Sequence, residues 1–156
     1  AKAAGLFAPP APPYDQYGGT QRGTRLIKPI PPLVAIPTTA GTGSEVSVGA
    51  MVIMESGRKE IFVSNHLIPQ TAVCDPDLTM GLPPRLTAAT GMDAVTHCLE
   101  SVLSSLVHPP AEGIGYDGLY RAVGLGMLER AVADGQDKEA RWHMMMASYQ
   151  GALAFV

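Results

Sequence analysis

The sequence has few of the features that mark specialised classes of protein. Its 156 residues include two cysteines and 16% charged residues, and the formal net charge is −3. Cys74 and Cys98 form neither a disulfide framework nor a CxxC pair, so reduced thiols are expected. Without an excess of positive charge, the chain has no electrostatic basis for binding nucleic acid. No apolar run approaches the ~20 residues that a membrane-spanning helix needs.

Signals for export and for hydrolysis are missing as well. No charged and then apolar leader opens the chain, so a cytoplasmic protein is expected. The motifs GxSxG and HExxH are absent, which leaves hydrolase chemistry without an anchor. The chain does have 46% apolar residues, enough to bury a core. It starts at Ala1 without a methionine and stops at Val156 in an apolar, helix-like stretch, so we expect an internal piece of a longer polypeptide.

The first half of the chain has the pattern of short strands. Residues 1–32 hold seven of the 14 prolines, which predicts an extended, looping segment. The apolar run at residues 33–36 predicts a strand buried on both faces. Residues 46–54 and 60–64 predict two strands joined by a turn at Ser56-Gly57, and residues 71–74 predict another short strand.

From about residue 80 the pattern is helical. Helices are predicted over residues 85–106, 111–133 and from 138 to the end, although five glycines weaken the second. The fold class is therefore α/β followed by all-α, with a boundary between residues 80 and 81. The first predicted helix carries an apolar stripe of seven residues: Leu86, Ala89, Met92, Val95, Leu99, Val102 and Leu106.

Asp93 and His97 stand four residues apart on the first predicted helix. This spacing places both side chains on one face, with Cβ atoms roughly 6 Å apart. A carboxylate oxygen and an imidazole nitrogen so placed can bind one divalent metal ion. The same spacing also suits an ordinary hydrogen bond on a helix surface. Two ligands do not complete a metal site, so the spacing alone leaves both interpretations open.

The hydroxyl-rich segment at residues 38–45, here called the threonine loop, follows the first predicted strand. Small residues let a backbone approach a ligand closely, and hydroxyls add donors for a phosphate or diphosphate. The loop is neither a P-loop nor a GxGxxG fingerprint, so a plain turn is the alternative. Lys59, near the start of a strand, could reach an anion or simply be solvated.

Two segments in this order resemble one family. They are PTTAGTGSE at residues 37–45 and GMDAVTHCLE at residues 91–100, and residues 74–79 and 82–84 fit the same pattern. Together they resemble the iron-containing (group III) alcohol dehydrogenases. The resemblance implies an incomplete dehydroquinate-synthase-like fold. Residues 1–80 would be the C-terminal part of a dinucleotide-binding α/β domain, and residues 81–156 the start of a helical, metal-binding domain.

The resemblance also implies roles for particular residues. Thr38, Thr39 and Thr42 would contact NAD or NADP, and Lys59 matches a lysine near the cofactor ribose. Family metal sites use one Asp and three His to hold Fe(II) or Zn(II). Asp93 and His97 match the first two of these ligands, and the other two would lie beyond Val156. The family's diphosphate loop would lie upstream of Ala1.

The implied activity is an NAD(P)-linked alcohol dehydrogenase or aldehyde reductase acting on a small molecule. A metal-independent reductase of the maleylacetate reductase type is an alternative, against which Asp93 and His97 argue. A second alternative is that this chain alone is inactive and has only a structural or association role. The substrate, the choice between NAD and NADP, and a homo-oligomeric state are left open by the sequence.

Overall fold

A computed structural model describes Lys2, Tyr17, residues 27–106 and residues 108–154. Their contacts define two compact units, each made of two stretches of chain. The first unit comprises Ala1–Ala35 and Ser47–Thr71, and the second comprises Ile36–Val46 and Ala72–Val156. Most of the proline-rich segment at residues 1–32, for which an extended path is predicted, lies outside the described residues.

The first unit contains an antiparallel hairpin. Strands β2 (Gly49–Ile53) and β3 (Lys59–Val63) pair so that Ala50 lies opposite Phe62. The turn between them needs Gly57, which has a φ of +78°, a conformation that other residues rarely adopt. Phe62 is fully buried in the core of this unit. The predicted pair of strands with a turn at Ser56-Gly57 is confirmed.

Strand β1 (Val34–Ala35) is shorter and more exposed than its sequence predicts. It pairs with β4 (Thr71–Ala72), at which the chain leaves the first unit. Val34 is 57% exposed and Ile36 is 54% exposed, so the prediction of a strand buried on both faces is wrong. Prolines at positions 31, 32 and 37 bound the run. Because proline cannot donate to a ladder, these flanking prolines limit how far the pairing can extend along the chain.

The second unit is a cluster of helices. The predicted helices that start near residues 85 and 138 are confirmed, but the prediction of a single helix over residues 111–133 is wrong. A π-helical turn at Tyr120–Gly124 interrupts it, and Gly126, with a φ of +67°, starts the next helix. The described part of this unit contains the α-helices α1 (Pro84–Leu103), α2 (Pro109–Leu119), α3 (Met127–Ala133) and α4 (Lys138–Ala154). None of the described helices is both long and apolar enough to span a membrane.

The helices pack largely through small residues, and of the apolar stripe seen in the sequence Val95 packs against their core. A Cβ atom on Gly118 of α2 would lie only 2.5 Å from the Cys98 sulfur, and one on Gly115 would lie 2.2 Å from Ser101 Oγ. Glycines therefore let the backbones of α1 and α2 approach closely, which accounts for glycine inside a helix. The buried face of α1 consists of Thr87, Gly91, Ala94, Cys98 and Ser101, whereas Leu86, Met92, Leu99 and Leu106 are exposed.

Arg141 joins the start of α4 to the start of α1. It is only 3% exposed, and it donates hydrogen bonds to Thr87 Oγ1 at 2.8 Å, the Gly135 carbonyl at 3.1 Å and the Leu82 carbonyl at 3.2 Å. Burial lowers the pKa of its guanidinium. These bonds hold together the ends of elements that are distant in the chain.

Candidate functional site

The threonine loop is fixed to the helices of the second unit. Ser148 Oγ on α4 donates a hydrogen bond to the Gly41 carbonyl at 3.0 Å. Gly43 has a φ of +64°, and a Cβ atom there would lie 2.3 Å from Ala152 Cβ on α4. A Cβ atom on Gly41 would lie 3.1 Å from Thr90 Cβ on α1. The loop therefore needs both glycines to lie against α1 and α4.

The loop buries its small apolar residue and leaves its hydroxyls accessible. Ala40 belongs to the buried core of the helices, whereas Thr38, Thr39 and Thr42 are exposed. An anchored backbone with exposed hydroxyls and small neighbours suits contact with the polar part of a nucleotide.

Asp93 and His97 face each other one turn apart on α1. Asp93 Oδ1 lies 3.7 Å from His97 Nε2, and the two side chains are 44% and 20% exposed. The other carboxylate oxygen, Oδ2, accepts a hydrogen bond from Thr42 Oγ1 at 2.7 Å. The structure thus brings together three of the residues predicted for the site, Thr42, Asp93 and His97.

The chemistry of this pair fits a divalent transition metal. A carboxylate oxygen and an imidazole nitrogen are ligands that Fe(II) and Zn(II) both accept. Their separation of 3.7 Å is short enough for one ion to lie between them. Among the described residues, no group of three or more His, Cys, Asp or Glu side chains could hold a metal ion. Asp93 and His97 could therefore supply two donors of a larger ligand set, and their role as metal ligands stays a prediction.

Cys98 lies next to His97 in the chain but supports the site by packing. Burial raises the pKa of its thiol to about 11, which favours the protonated thiol. Its sulfur donates to the Ala147 carbonyl on α4 at 3.4 Å. A Cβ atom on Gly151 would lie 3.1 Å from both the Cys98 sulfur and His97 Cβ. The absence of a side chain at Gly151 therefore leaves room for His97.

Lys59, the remaining predicted site residue, lies at the start of β3 in the first unit and is exposed. It is not among the residues that the helical unit brings together, and its role near a ribose stays a prediction. His66 and His108 are also exposed.

Ser148, Gly43 and Gly151 support the site but were not predicted from the sequence. A signal was present on α4, where the small residues Ala147, Ser148, Gly151 and Ala152 recur at helical spacing. Such a stripe permits close approach of another backbone. It does not say which backbone approaches, and so the threonine loop could not be chosen from the pattern.

Models of known families match both parts of the chain. Residues 1–76 match the family described as iron-containing alcohol dehydrogenase. Residues 87–156 match the C-terminal part of the Fe-containing alcohol dehydrogenase family. The two matches follow one another in the chain and leave only a short gap between them.

Individual proteins show the same similarity. The chain is 52% identical over 156 residues to 4-hydroxybutyrate dehydrogenase of Cupriavidus necator, covering 99% of this chain and 40% of that protein. Its structure is similar to that of 1,3-propanediol oxidoreductase, with a TM-score of 0.89 and 37% identity over 99% of this chain and 39% of the other. It is also similar to sulfoacetaldehyde reductase from Bifidobacterium kashiwanohense in complex with NAD+, with a TM-score of 0.85 and 34% identity over 98% of this chain and 40% of the other. The chain thus spans about 40% of the length of these relatives.

Proposed function

The chain belongs to the iron-containing alcohol dehydrogenase family, and on this premise we propose that it is part of a metal-dependent, NAD(P)-linked alcohol dehydrogenase or aldehyde reductase. The observation that supports this most directly is the convergence of Thr42, Asp93 and His97. The substrate would be a small alcohol or aldehyde. Because the 52% identical relative is a 4-hydroxybutyrate dehydrogenase, 4-hydroxybutyrate is the first alcohol to test.

Asp93 and His97 would hold Fe(II) or Zn(II). When bound, such a cation acts as a Lewis acid on the substrate oxygen and favours the alkoxide over the alcohol. The role of α1 is to hold the two donors one helical turn apart, so that little rearrangement is needed on binding. Gly151 leaves His97 the space that this position requires.

The threonine loop would hold NAD or NADP through Thr38, Thr39 and Thr42, and Lys59 would lie near the cofactor ribose. The bound nicotinamide supplies the hydride chemistry. The contribution of the chain is orientation, because Ser148 and the contacts of Gly43 fix the loop backbone before any ligand arrives.

The whole protein would extend beyond the residues present here. Residues 1–80 would complete a dinucleotide-binding domain and residues 81–156 would begin a helical, metal-binding domain. We further propose that the protein is cytoplasmic. Whether it forms a homo-oligomer can be measured by analytical ultracentrifugation. A second candidate, that the 156-residue chain alone is catalytically inactive, is favoured by its two metal donors and by its coverage of about 40% of its relatives.

The proposal is tested with the native-length gene product. Alcohol-dependent reduction of NAD+ and of NADP+ is measured before and after a chelator removes metal, and again after Fe2+ or Zn2+ is added. We expect activity to be lost and then restored, and D93N and H97Q each to lower kcat/KM more than 100-fold, since each removes a ligand (about 3 kcal/mol).

The matched control is H66Q, which changes an exposed histidine of the first unit that is not among the predicted site residues, and it should leave the rate unchanged. Full activity in the metal-free protein, or in both D93N and H97Q, would contradict the proposal. Activity from the isolated 156-residue chain would contradict the second candidate.

A further inference from the structure

We propose that Thr42 is a positioning residue for the metal ligand Asp93, and that through it the threonine loop and the metal site are coupled. The inference rests on the proposed metal-binding function. The contact that carries it is the hydrogen bond from Thr42 Oγ1 to Asp93 Oδ2 at 2.7 Å, which joins residues 51 positions apart in the chain.

The bond gives the two oxygens of Asp93 different roles. Oδ2 accepts a hydrogen bond from the Thr42 hydroxyl, while Oδ1 faces His97 Nε2 at 3.7 Å. An aspartate carboxylate turns easily about its terminal torsion, and this side chain is 44% exposed. Holding Oδ2 therefore keeps Oδ1 directed toward His97. In this arrangement Oδ1 would be the oxygen available to hold a cation together with His97.

Thr42 can impose this orientation because its neighbours are fixed. The carbonyl of Gly41 accepts from Ser148, and Gly43 lies against Ala152 with a φ of +64°. The hydroxyl is thus attached to backbone that is anchored on both sides, whereas the carboxylate is at the end of a rotatable side chain. The threonine loop orients Asp93 rather than the reverse.

The bond also links two functions that the sequence assigns separately. Thr38 and Thr39 lie in the same loop and are proposed to bind the dinucleotide, while Asp93 is proposed to bind metal. A partner that orients a metal ligand typically raises metal affinity by 10–100-fold. Metal affinity measured without nucleotide therefore isolates this effect from any contact that Thr42 makes with the cofactor.

The test uses Co2+ as the probe on metal-free, native-length protein without nucleotide. Calorimetry gives the dissociation constant, and the visible d–d absorption bands report the ligand geometry. T42V is nearly isosteric and should weaken Co2+ binding by about 10–100-fold and change the bands. T42S keeps the hydroxyl and should behave like the wild type. T39V removes a hydroxyl from the same loop without touching the Thr42–Asp93 bond, and it should bind Co2+ normally.

The outcomes separate this inference from the proposed function. Binding of Co2+ by T42V with wild-type affinity and bands would overturn the inference and leave the metal site standing. An equal loss in T39V would also overturn it, since the effect would belong to the loop in general. If the wild type binds Co2+ no better than D93N does, the metal site falls and the inference falls with it. If T42V is not recovered folded, T42A takes its place with the same expected loss.

Discussion

Arg141 is a cation buried with neutral oxygen partners, and the second unit depends on its hydrogen bonds. Replacing it by methionine keeps much of the volume but leaves Thr87, Leu82 and Gly135 without its donors. We expect R141M to lower the free energy of unfolding by about 2–4 kcal/mol, because three hydrogen bonds of a buried side chain are lost, one of them to the buried Thr87 hydroxyl. Urea unfolding followed by circular dichroism measures the loss.

The comparison for Arg141 is Arg130, whose ion pairs with Asp137 and Glu139 are exposed. Exposed pairs contribute little to stability because solvent screens them, so R130M should lower the free energy of unfolding much less than R141M does. If R130M and R141M lower the free energy of unfolding equally, the buried hydrogen bonds of Arg141 stabilise the protein no more than the exposed ion pairs of Arg130 do.

We expect His143 to make the stability of the protein depend on pH. Burial, and then the nearby Arg121 cation, lower the pKa of His143. Below the ordinary histidine pKa of about 6.5, the unfolded chain therefore takes up a proton that the folded chain binds less readily. His143 should reduce stability as the pH falls below this value. Melting temperatures between pH 7.5 and pH 5.5 should fall less steeply in H143Q than in the wild type.

Arg121 provides an independent check on His143. Because its cation is the second cause of the lowered pKa, R121M should also make the pH dependence shallower. If the melting temperatures of H143Q and R121M change with pH as steeply as those of the wild type, His143 is not the source of the pH dependence.

Only part of the residue-level geometry follows from the sequence. The meeting of Asp93 and His97 could be predicted because a spacing of four on a helix fixes their proximity. The bond from Thr42 to Asp93 could not, because it depends on where a loop docks against a helix. The resemblance to the family identified Thr42, Asp93 and His97, but it did not indicate the hydrogen bond between Thr42 and Asp93.

At the scale of elements, the threonine loop is shaped by its contact with α4. We expect G43A to destabilise the protein by more than about 2 kcal/mol, because the added Cβ combines a strained φ with overlap against Ala152. Thermal unfolding measures the loss. Gly57 also has a positive φ, but no atom lies within 4 Å of the position that its Cβ would take. G57A should therefore show only the backbone strain, a destabilisation of about 1 kcal/mol. A smaller loss in G43A than in G57A would contradict the close approach.

The glycines of α2 should respond differently to the same substitution. Gly113 has open space around it, so G113A should stabilise the helix by about 0.5–1 kcal/mol. G118A should destabilise by about 1–3 kcal/mol, because its Cβ would overlap the Cys98 sulfur. Chemical denaturation of both variants gives the two values.

Cys98 offers a rescue for the second of these variants. Adding C98A to G118A removes the overlapping sulfur and should recover part of the stability. Failure to recover any, or a stabilising G118A, would argue against close packing of α1 and α2.

The elements themselves were predictable where a local signal dominates. The hairpin around Gly57 and the helices starting near residues 85 and 138 follow from turn residues, prolines and periodicity. The break at Gly126 was missed because glycine can either continue a helix or end it. Only the φ of +67° in the structure shows that Gly126 lies outside the helix. The buried face of α1 was missed because small residues carry little hydrophobic signal.

At the scale of the whole molecule, the order α/β and then all-α could be predicted from the order of the patterns. The contacts that assemble each unit could not, because they join distant parts of the chain. The bond between Ser148 and Gly41, for example, spans 107 residues. Local periodicity has no information about such pairs, whereas similarity to known families supplies the overall arrangement.

Neither unit is a continuous stretch of the polypeptide, because Ile36–Val46 is contributed to the helices from within the sequence of the first unit. A recombinant piece starting at residue 81 would therefore lack the loop that covers α1 and α4. Its Ser148 would lose the Gly41 carbonyl, and the small-residue surface around Ala152 would meet water. Anyone dividing this gene for expression, domain exchange or circular permutation has to carry the loop with the helices, although Ser47–Thr71 of the first unit lies between them in the sequence.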